Sequence, residues 1–490
     1  MRPPCFLEGL QTSECRAGWT ASSEAVVLII VKPSFNSYIV MDKRLQELAN
    51  LPVGKLLLRY SVPAVVGIVV MQLYNIVDRI FIGQVVGTDA IAGLAITFPV
   101  VNITTALGVL IGAGASARVS IMLGNKDEES ARKVAGNSLV LTLVIGAVYI
   151  AMFYLFLDDL LELFGATEAN LPYARDMMLW VLPGLFLTNI AFSFNNIMRA
   201  SGFPAKAMVT MFIGAGVNVV LDPIFIYVLG WGIKGAAIAT DIAMAVSAVF
   251  VMSHFMRGHG TVRFCRGIYR LDRRIVWGII GIGAAPSIVN LAGCLINILI
   301  NNTLNRYGGS DAIASAGVFV TVTSFVVAFI IGVCQGMQPI AGYNYGAKRY
   351  VRLNRVFMLA LCVVTAVSVA GWVLGMLVPK GLSAAFLTDA GMVKNTAGYL
   401  SIAMSMFWMV GVQIVSTTFF QSIGKVGKSI FLSLTRQVLF LIPALLVLPG
   451  IYGLRGIWLC FPVSDVAAFA VTVVMVVWQL RKLRQVAAGI

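Results

Sequence analysis

Residues 208–229 form an almost wholly apolar run whose one carboxylate, Asp222, stands directly before Pro223. Asn218 lies four positions earlier, so on a helix its carboxamide shares a face with the carboxylate and the two side chains can meet. Pro223 supplies no amide to that helix and leaves a carbonyl one turn back without its usual donor. Carboxylate, carboxamide and freed carbonyl oxygens together are the hard ligands that a sodium ion or a proton relay would use. The competing reading is that Asp222 only caps a proline break in the helix. Two more acids sit in apolar runs, Asp78 in "MQLYNIVDRIFIG" and Asp241 in "GIKGAAIATDIAM". A charge at mid-membrane costs roughly 2.5–3.5 kcal/mol or more, so such groups face protein or water and by default mark an ion or substrate path. Arg79 is not the obvious partner of Asp78, because adjacent helical residues point in different directions; pairing with another cation is the structural alternative for this acid.

Catalytic chemistry finds little support. The two histidines, His254 and His259, flank one loop, and neither an HExxH nor a GxSxG pattern occurs, which leaves an integral membrane enzyme as the least favoured class. No GxxxxGK[ST] loop is present, which disfavours an ATP-driven pump. The seven cysteines, at positions 5, 15, 265, 294, 334, 362 and 460, show no CxxC pairing and no metal-ligand spacing. They read as packing residues or cytosolic thiols. No cofactor is expected, and no metal beyond a sodium ion at the acidic positions.

The elements that must hold these residues are membrane helices. Hydrophobic residues make up 59% of the chain and charged residues 12%, at a mean hydropathy of +0.90, far from the composition of a soluble domain. A helix crosses the hydrocarbon with about 20 apolar residues. Such runs begin near residues 58, 90, 134, 175, 207, 235, 276, 312, 355, 398, 429 and 456, which predicts twelve spans. The net charge of +15 alternates by loop. One set of loops carries Lys43, Arg44, Lys55 and Arg59, then Arg118, Lys126, Arg132 and Lys133, and continues through the cluster from Arg257 to Arg274 as far as Arg481, Lys482 and Arg484. The alternate loops hold only Arg175, Lys234, Arg306, Lys380, Lys394 and Arg455. By the positive-inside rule both termini are cytoplasmic, and the basic balance reports topology with no part for nucleic acid. Residues 1–40 fit this scheme poorly, since "AVVLII" is too short to span and lacks a signal peptide's flanks. They are expected to stand outside the fold, either as an upstream mis-assigned start or as a dispensable extension.

Comparing the chain with itself reveals a duplication. Asp89-Ala90-Ile91-Ala92 recurs 222 positions on as Asp311-Ala312-Ile313-Ala314, and the same shift relates Gly124 to Gly346, Phe164 to Phe386, Gly202 to Gly424 and Lys206 to Lys428. The expected architecture is all-α, with two homologous six-helix lobes, residues 41–256 and 275–490, around a central cleft. The basic cytoplasmic linker 257–274 joins them. An even number of spans per copy gives both copies one orientation, a geometry suited to two lobes rocking in alternating access.

The motifs "YNIVDRIFIG", "RASGFP", "NVVLDPIFIY" and "GIKGAAIAT", in that order across duplicated halves, resemble those of the multidrug and toxic compound extrusion (MATE) transporters, in particular their MepA-like and DinF-like branches. The resemblance covers the chain from Met41 onward. It implies that Asp78 is the cation-coupling carboxylate of the first helix, with Asn218, Asp222 and Thr240 completing a first-lobe cation site for H+ or Na+. It further implies that Tyr74, Asn195, Met211 and Met244 line the drug cavity and that Pro63 is the hinge of the first helix. Helical spacing agrees, since Tyr74, Met211 and Met244 fall on the stripes of Asp78, Asn218 and Thr240. Ordinary packing, and for Pro63 a static kink, are the alternatives. The chain departs from the NorM branch, because Asn290, Asn297, Asn301 and Gln413 stand in the second lobe without an acid. Those residues line the cleft or bond between helices. Asp241, Asp465 and Arg436 have no assignable role from sequence.

The expectation is a cation-coupled efflux antiporter for small organic, cationic or amphipathic compounds. It would act as a monomer in the bilayer of a bacterial inner membrane. The alternative is a lipid-linked oligosaccharide flippase of related fold, which would show a more basic cleft. Substrate identity is not written in residues this common.

Overall fold

A computed structural model describes the backbone of residues 44–85, 88–164, 171–257 and 260–488, with side chains for all of these except 75–85, 88–96, 98, 233, 487 and 488. Residues 1–40 lie outside the described residues. Almost everything described is helical, as a chain in hydrocarbon must be when no water is present to satisfy its amides. The first lobe is built from α1 (Val53–Val85), α2 (Thr88–Gly124), α3 (Glu128–Leu155), α4 (Leu171–Ala200), α5 (Pro204–Pro223) and α6 (Gly232–Met256). In the second lobe a continuous stretch, Arg273–Gly346, is broken at Gly309, where φ is 62° and ψ −155°. Only glycine adopts that conformation readily, and it divides the stretch into α7 (273–308) and α8 (310–346). Next come α9 (Tyr350–Leu377) and α10, a pair of helices, Ala390–Met404 and Trp408–Ser422, bent by 47°. The lobe ends with α11 (Val426–Leu434, a π-helical turn Thr435–Leu441, then Ile442–Tyr452) and α12 (Leu454–Ala488).

Among the described residues, ten helices are long and apolar enough to cross a membrane, and the bent pair makes an eleventh. The break at Gly309 divides one of the ten, so twelve spans form two six-helix lobes. The spans begin two to eight residues before the expected positions because their first turns are polar. In α3, Asp127 accepts from the Ser130 amide at 3.0 Å and starts the helix at Glu128, ahead of the apolar stretch. The duplication extends to backbone detail. Lys126 and Lys348, 222 positions apart, both have positive φ, 62° and 56°. Behind them Asp127 N donates to Met122 O and Arg349 N to Asn344 O, each at 2.9 Å, a Schellman closure made twice.

The lobes touch along the halves of their spans nearest the basic loops. A Cβ on Gly124 of α2 would collide with the carbonyl oxygen of Tyr343 in α8, and one on Gly346 of α8 with that of Ile121 in α2. Gly332 and Gly336 of α8 likewise admit the backbone of Val65 and Ser61 of α1. Hydrogen bonds stitch this seam, among them Ser61 Oγ to Val333 O at 3.4 Å and Gln338 Nε2 to Ala113 O at 3.3 Å. Toward the other ends of the spans, α7 presents Leu291, Leu295 and Ile298 as exposed side chains. The two lobes are therefore joined on the basic-loop side.

Candidate cation and substrate site

Asn218 and Asp222 sit on the buried face of α5 at 0% and 1% exposure. Asn218 Nδ2 donates to Asp222 Oδ1 at 3.2 Å and to Thr240 Oγ1 of α6, also at 3.2 Å. One carboxamide thus ties a carboxylate to a hydroxyl on the neighbouring span. Asn218 Oδ1 is buried and accepts no hydrogen bond among the described residues, which leaves one more oxygen for a cation. The chain does not end its helix at Pro223. It widens into a π turn, Ile224–Val228, closed by Leu229 N on Ile224 O at 2.9 Å, and such turns absorb an irregularity while keeping the segment helical. Asp222 consequently lies inside a span, one turn before its widest point.

On α1, Tyr74 is buried at 9% exposure. Met211 of α5 reaches across so closely that a Cβ on Gly67 of α1 would lie 2.5 Å from its sulfur. Gly67 is one turn past Pro63, which stands inside the continuous α1 helix. Met244 is half-buried on α6. The Asp78 side chain lies outside the described residues.

The MatE family model matches this chain twice, over residues 63–224 and 286–446, once in each lobe. The chain belongs to the MATE family of membrane transporters. Among curated relatives, the multidrug export protein MepA of Staphylococcus aureus (strain N315) is 25% identical over 441 residues, covering 90% of this chain and 97% of that protein. A multidrug resistance MATE family transporter of the MOP superfamily, solved in an outward-facing conformation, superposes with a TM-score of 0.85 at 25% identity, over 90% of this chain and 99% of that one. The MATE multidrug transporter DinF-BH, solved in complex with a ligand, superposes with a TM-score of 0.83 at 36% identity, over 89% and 97% of the two chains.

In this MATE protein the remaining candidate residues are dispersed. Asn195 lies near the basic-loop end of α4, where Nδ2 donates to Ala207 O at 2.7 Å and Oδ1 accepts from Arg199 Nη2 at 2.9 Å. Its polar atoms are engaged in the closed end of the molecule, away from the Asn218 group. Asn290 of α7 donates within its own helix, to Pro286 O at 2.9 Å. Asn297 and Asn301 are exposed along the same helix, and Gln413 of α10 is buried at 5% exposure. Two residues without a role in the sequence find one in each other. Arg436 of α11 and Asp465 of α12 form an ion pair at 2.7 Å, with side chains 26% and 2% exposed. Asp241 packs against α4, where a Cβ on Gly184 would overlap its Oδ1. Nearby, Pro183 removes the usual donor to Leu179 O, and Tyr154 Oη fills the vacancy at 2.9 Å.

Arg199 was missed as a candidate although it begins the "RASGFP" motif. It is 4% exposed, donates to Asn195 and Asn196 of its own helix, and reaches across the seam to Gln335 of α8. Two asparagines three and four positions before a lone arginine were the available signal, since that spacing stacks their amides against the guanidinium.

Proposed function

We propose that this protein is a cation-coupled multidrug efflux antiporter. A proton or sodium ion entering from outside binds near Asp78 and Asp222, stabilises the state that releases an organic, cationic or amphipathic compound, and resets the lobes. The observation that carries this reading is the buried Asn218–Asp222–Thr240 cluster between two helices of one lobe. It gathers carboxylate, carboxamide and hydroxyl oxygens, which suit either ion, at a position where burying a carboxylate is costly without a use for it. The ion drives a cycle only if it binds the two lobe arrangements with different affinity, since equal affinity shifts nothing. Tyr74, Met211 and Met244 add a deformable wall suited to varied flat molecules. The relatives named for multidrug export, and the multidrug transporter solved with its ligand, support the same substrate class.

The positive-inside rule puts the basic loops and both termini in the cytoplasm, with the protein in a bacterial inner membrane as a monomer. Lobes 41–256 and 275–490, with linker 257–274 between them, are on this reading joined toward the cytoplasm. Ethidium efflux from proteoliposomes under proton and sodium gradients imposed separately tests the reading. Export under one gradient, lost in Asp78→Asn and Asp222→Asn with folding intact, is the expected result. No export by folded wild-type protein under either gradient overturns it and favours the flippase.

A further inference from the structure

A cavity of about 790 Å³ opens where the two lobes meet on the basic-loop side. Pro52, Val53 and Gly54 at the start of α1 form one wall, and the turn between α8 and α9 forms the other. Into it face Lys348, Arg349, Arg352 and Arg355, with Val351 and Val486 beside them. None of these four cations belongs to any of the six ion pairs among the described residues. Arg349 donates to Ala49 O at 2.6 Å, and Arg352 to Leu48 O at 3.2 Å and Leu51 O at 2.5 Å. These neutral carbonyls fix the two guanidiniums without cancelling their charge. Arg352 Nε is buried and has no acceptor among the described residues. Val351 is 75% exposed and Val486 47% exposed, so the cationic floor has an apolar rim.

The internal duplication supplies the comparison that gives this cavity meaning. The turn of the first lobe at the same place reads Lys126-Asp127-Glu128-Glu129-Ser130-Ala131-Arg132-Lys133. Its charges cancel, with Arg132 on Glu128 at 2.9 Å and Lys133 on Glu129 at 2.7 Å. The second-lobe turn reads Lys348-Arg349-Tyr350-Val351-Arg352-Leu353-Asn354-Arg355. Every acid has gone, replaced by a cation, an aromatic residue and an exposed valine. Four like charges held together without an acid repel one another unless an anion joins them.

We propose that this cavity binds the anionic headgroup of a bilayer phospholipid. The phosphate lies among Lys348, Arg352 and Arg355, and an acyl chain lies along Val351 and Val486. Basic clefts between membrane helices at the cytoplasmic face recognise headgroups through this combination of fixed cations and apolar rim. Because the walls belong to different lobes, the bound lipid ties the start of α1 to α9 and favours the arrangement closed on this side. The proposal is independent of the ion and of the cargo.

The test uses purified full-length protein and native mass spectrometry with dioleoylphosphatidylglycerol, dioleoylphosphatidylcholine or inorganic phosphate. Lys348→Gln/Arg355→Gln removes the two cations of the cavity that make no side-chain hydrogen bond among the described residues. Lys126→Gln/Lys133→Gln removes their first-lobe counterparts. Phosphatidylglycerol should bind wild type and the first-lobe variant alike and bind the second-lobe variant roughly thirtyfold more weakly, the loss for two surface cations facing an anionic lipid. Equal binding of phosphatidylcholine, or equal loss in both variants, overturns the proposal. Inorganic phosphate that displaces nothing supports a lipid, whereas phosphate that competes fully at equal concentration identifies a free-anion site and overturns the lipid assignment. If the double variant does not fold, Arg355→Gln alone carries the comparison, with roughly fivefold weaker binding expected.

Discussion

The last two helices of each lobe solve the problem of a buried acid in opposite ways. In the first lobe, Asp222 of α5 sits with a carboxamide and, through it, a hydroxyl of α6. In the second, Asp465 of α12 sits against the guanidinium of Arg436 from α11, 2.7 Å away. Both helix pairs come from one ancestral unit and both contain a π turn, Ile224–Val228 and Thr435–Leu441. The ion pair gives the buried carboxylate a compensating charge, and removing either partner would leave the other uncompensated in a low-dielectric interior. The amide and hydroxyl oxygens accommodate a carboxylate with a proton or a sodium ion bound. One lobe thus pairs its buried acid with a cation, and its twin surrounds its acid with neutral oxygen and amide groups, the arrangement on which the proposed ion site rests.

Breaking the ion pair should have the largest effect. Asp465→Asn leaves Arg436 without its counter-charge and should cost about 3 kcal/mol, at the low end for a broken buried pair because the arginine is partly exposed. Thermal unfolding followed by fluorescence-detected elution would show this as a lower midpoint. Arg436→Met with Asp465→Leu should recover most of the loss, since a matched apolar pair needs no compensation. If Asp465→Asn instead folds like wild type and stops transport, the two lobes do not differ in the way described. Asp222→Asn should do the reverse. Gradient-driven efflux should be lost, a fall of roughly 150-fold at the top of the usual range of coupling energies. Stability should stay within about 1 kcal/mol, because the amide preserves the hydrogen-bonding shape. A misfolded Asp222→Asn would make that acid a structural group like Asp465.

The same contrast explains what could be read from the sequence. The twelve spans and the duplication were legible because apolar length and a constant 222-residue shift are properties of the chain alone. Asn218 and Asp222 were legible because their spacing of four is local, and helical geometry turns local spacing into contact. Arg436 and Asp465 are 29 positions apart, and Arg199 and Gln335 are 136 apart. Which residues face each other across such distances depends on helix rotation and tilt, set by packing that no single segment encodes. Asn195 shows the converse limit. Its resemblance to cavity-lining residues points toward substrate, yet in this closed end its amide serves Arg199 and Ala207 O.

Arg199 sharpens the comparison at the seam. Its guanidinium is held by Asn195 and Asn196 in the first lobe and reaches Gln335 in the second, so it links the two lobes in the arrangement described. Arg199→Met removes one charge-assisted bond across the lobes, about 2 kcal/mol, which shifts the balance toward separation roughly thirtyfold. Ser61→Cys, buried at the seam beside Val333 O, reports this when the seven native cysteines are replaced. Its maleimide labelling should accelerate in the presence of Arg199→Met. Unchanged labelling would make Arg199 a packing residue of the first lobe alone.

The smallest effect belongs to the duplicated turn. Asp127 caps α3 through the Ser130 amide, whereas Arg349, its counterpart, gives α9 no side-chain cap. Asp127→Ala should therefore cost about 0.5–1 kcal/mol near neutral pH, at the lower end of the range for caps because the site is exposed. Arg349→Ala should cost α9 no cap at all and lose only the bond to Ala49 O. Hydrogen bonds from the Ser130 side chain and amide hold the Asp127 carboxyl below its ordinary value of 3.8. The sign of the pH dependence follows. A lowered folded value means that the native state binds the proton more weakly than the unfolded chain, so the contribution is fully present above the ordinary carboxylate range. It disappears as pH falls through the lowered value. The gap in unfolding midpoint between wild type and Asp127→Ala should accordingly be constant above the ordinary carboxylate range and close as the pH falls beneath it. A gap that persists in acid would mean that Asp127 holds the turn by shape, as a neutral cap can, and that charge is not what distinguishes the two turns of this transporter.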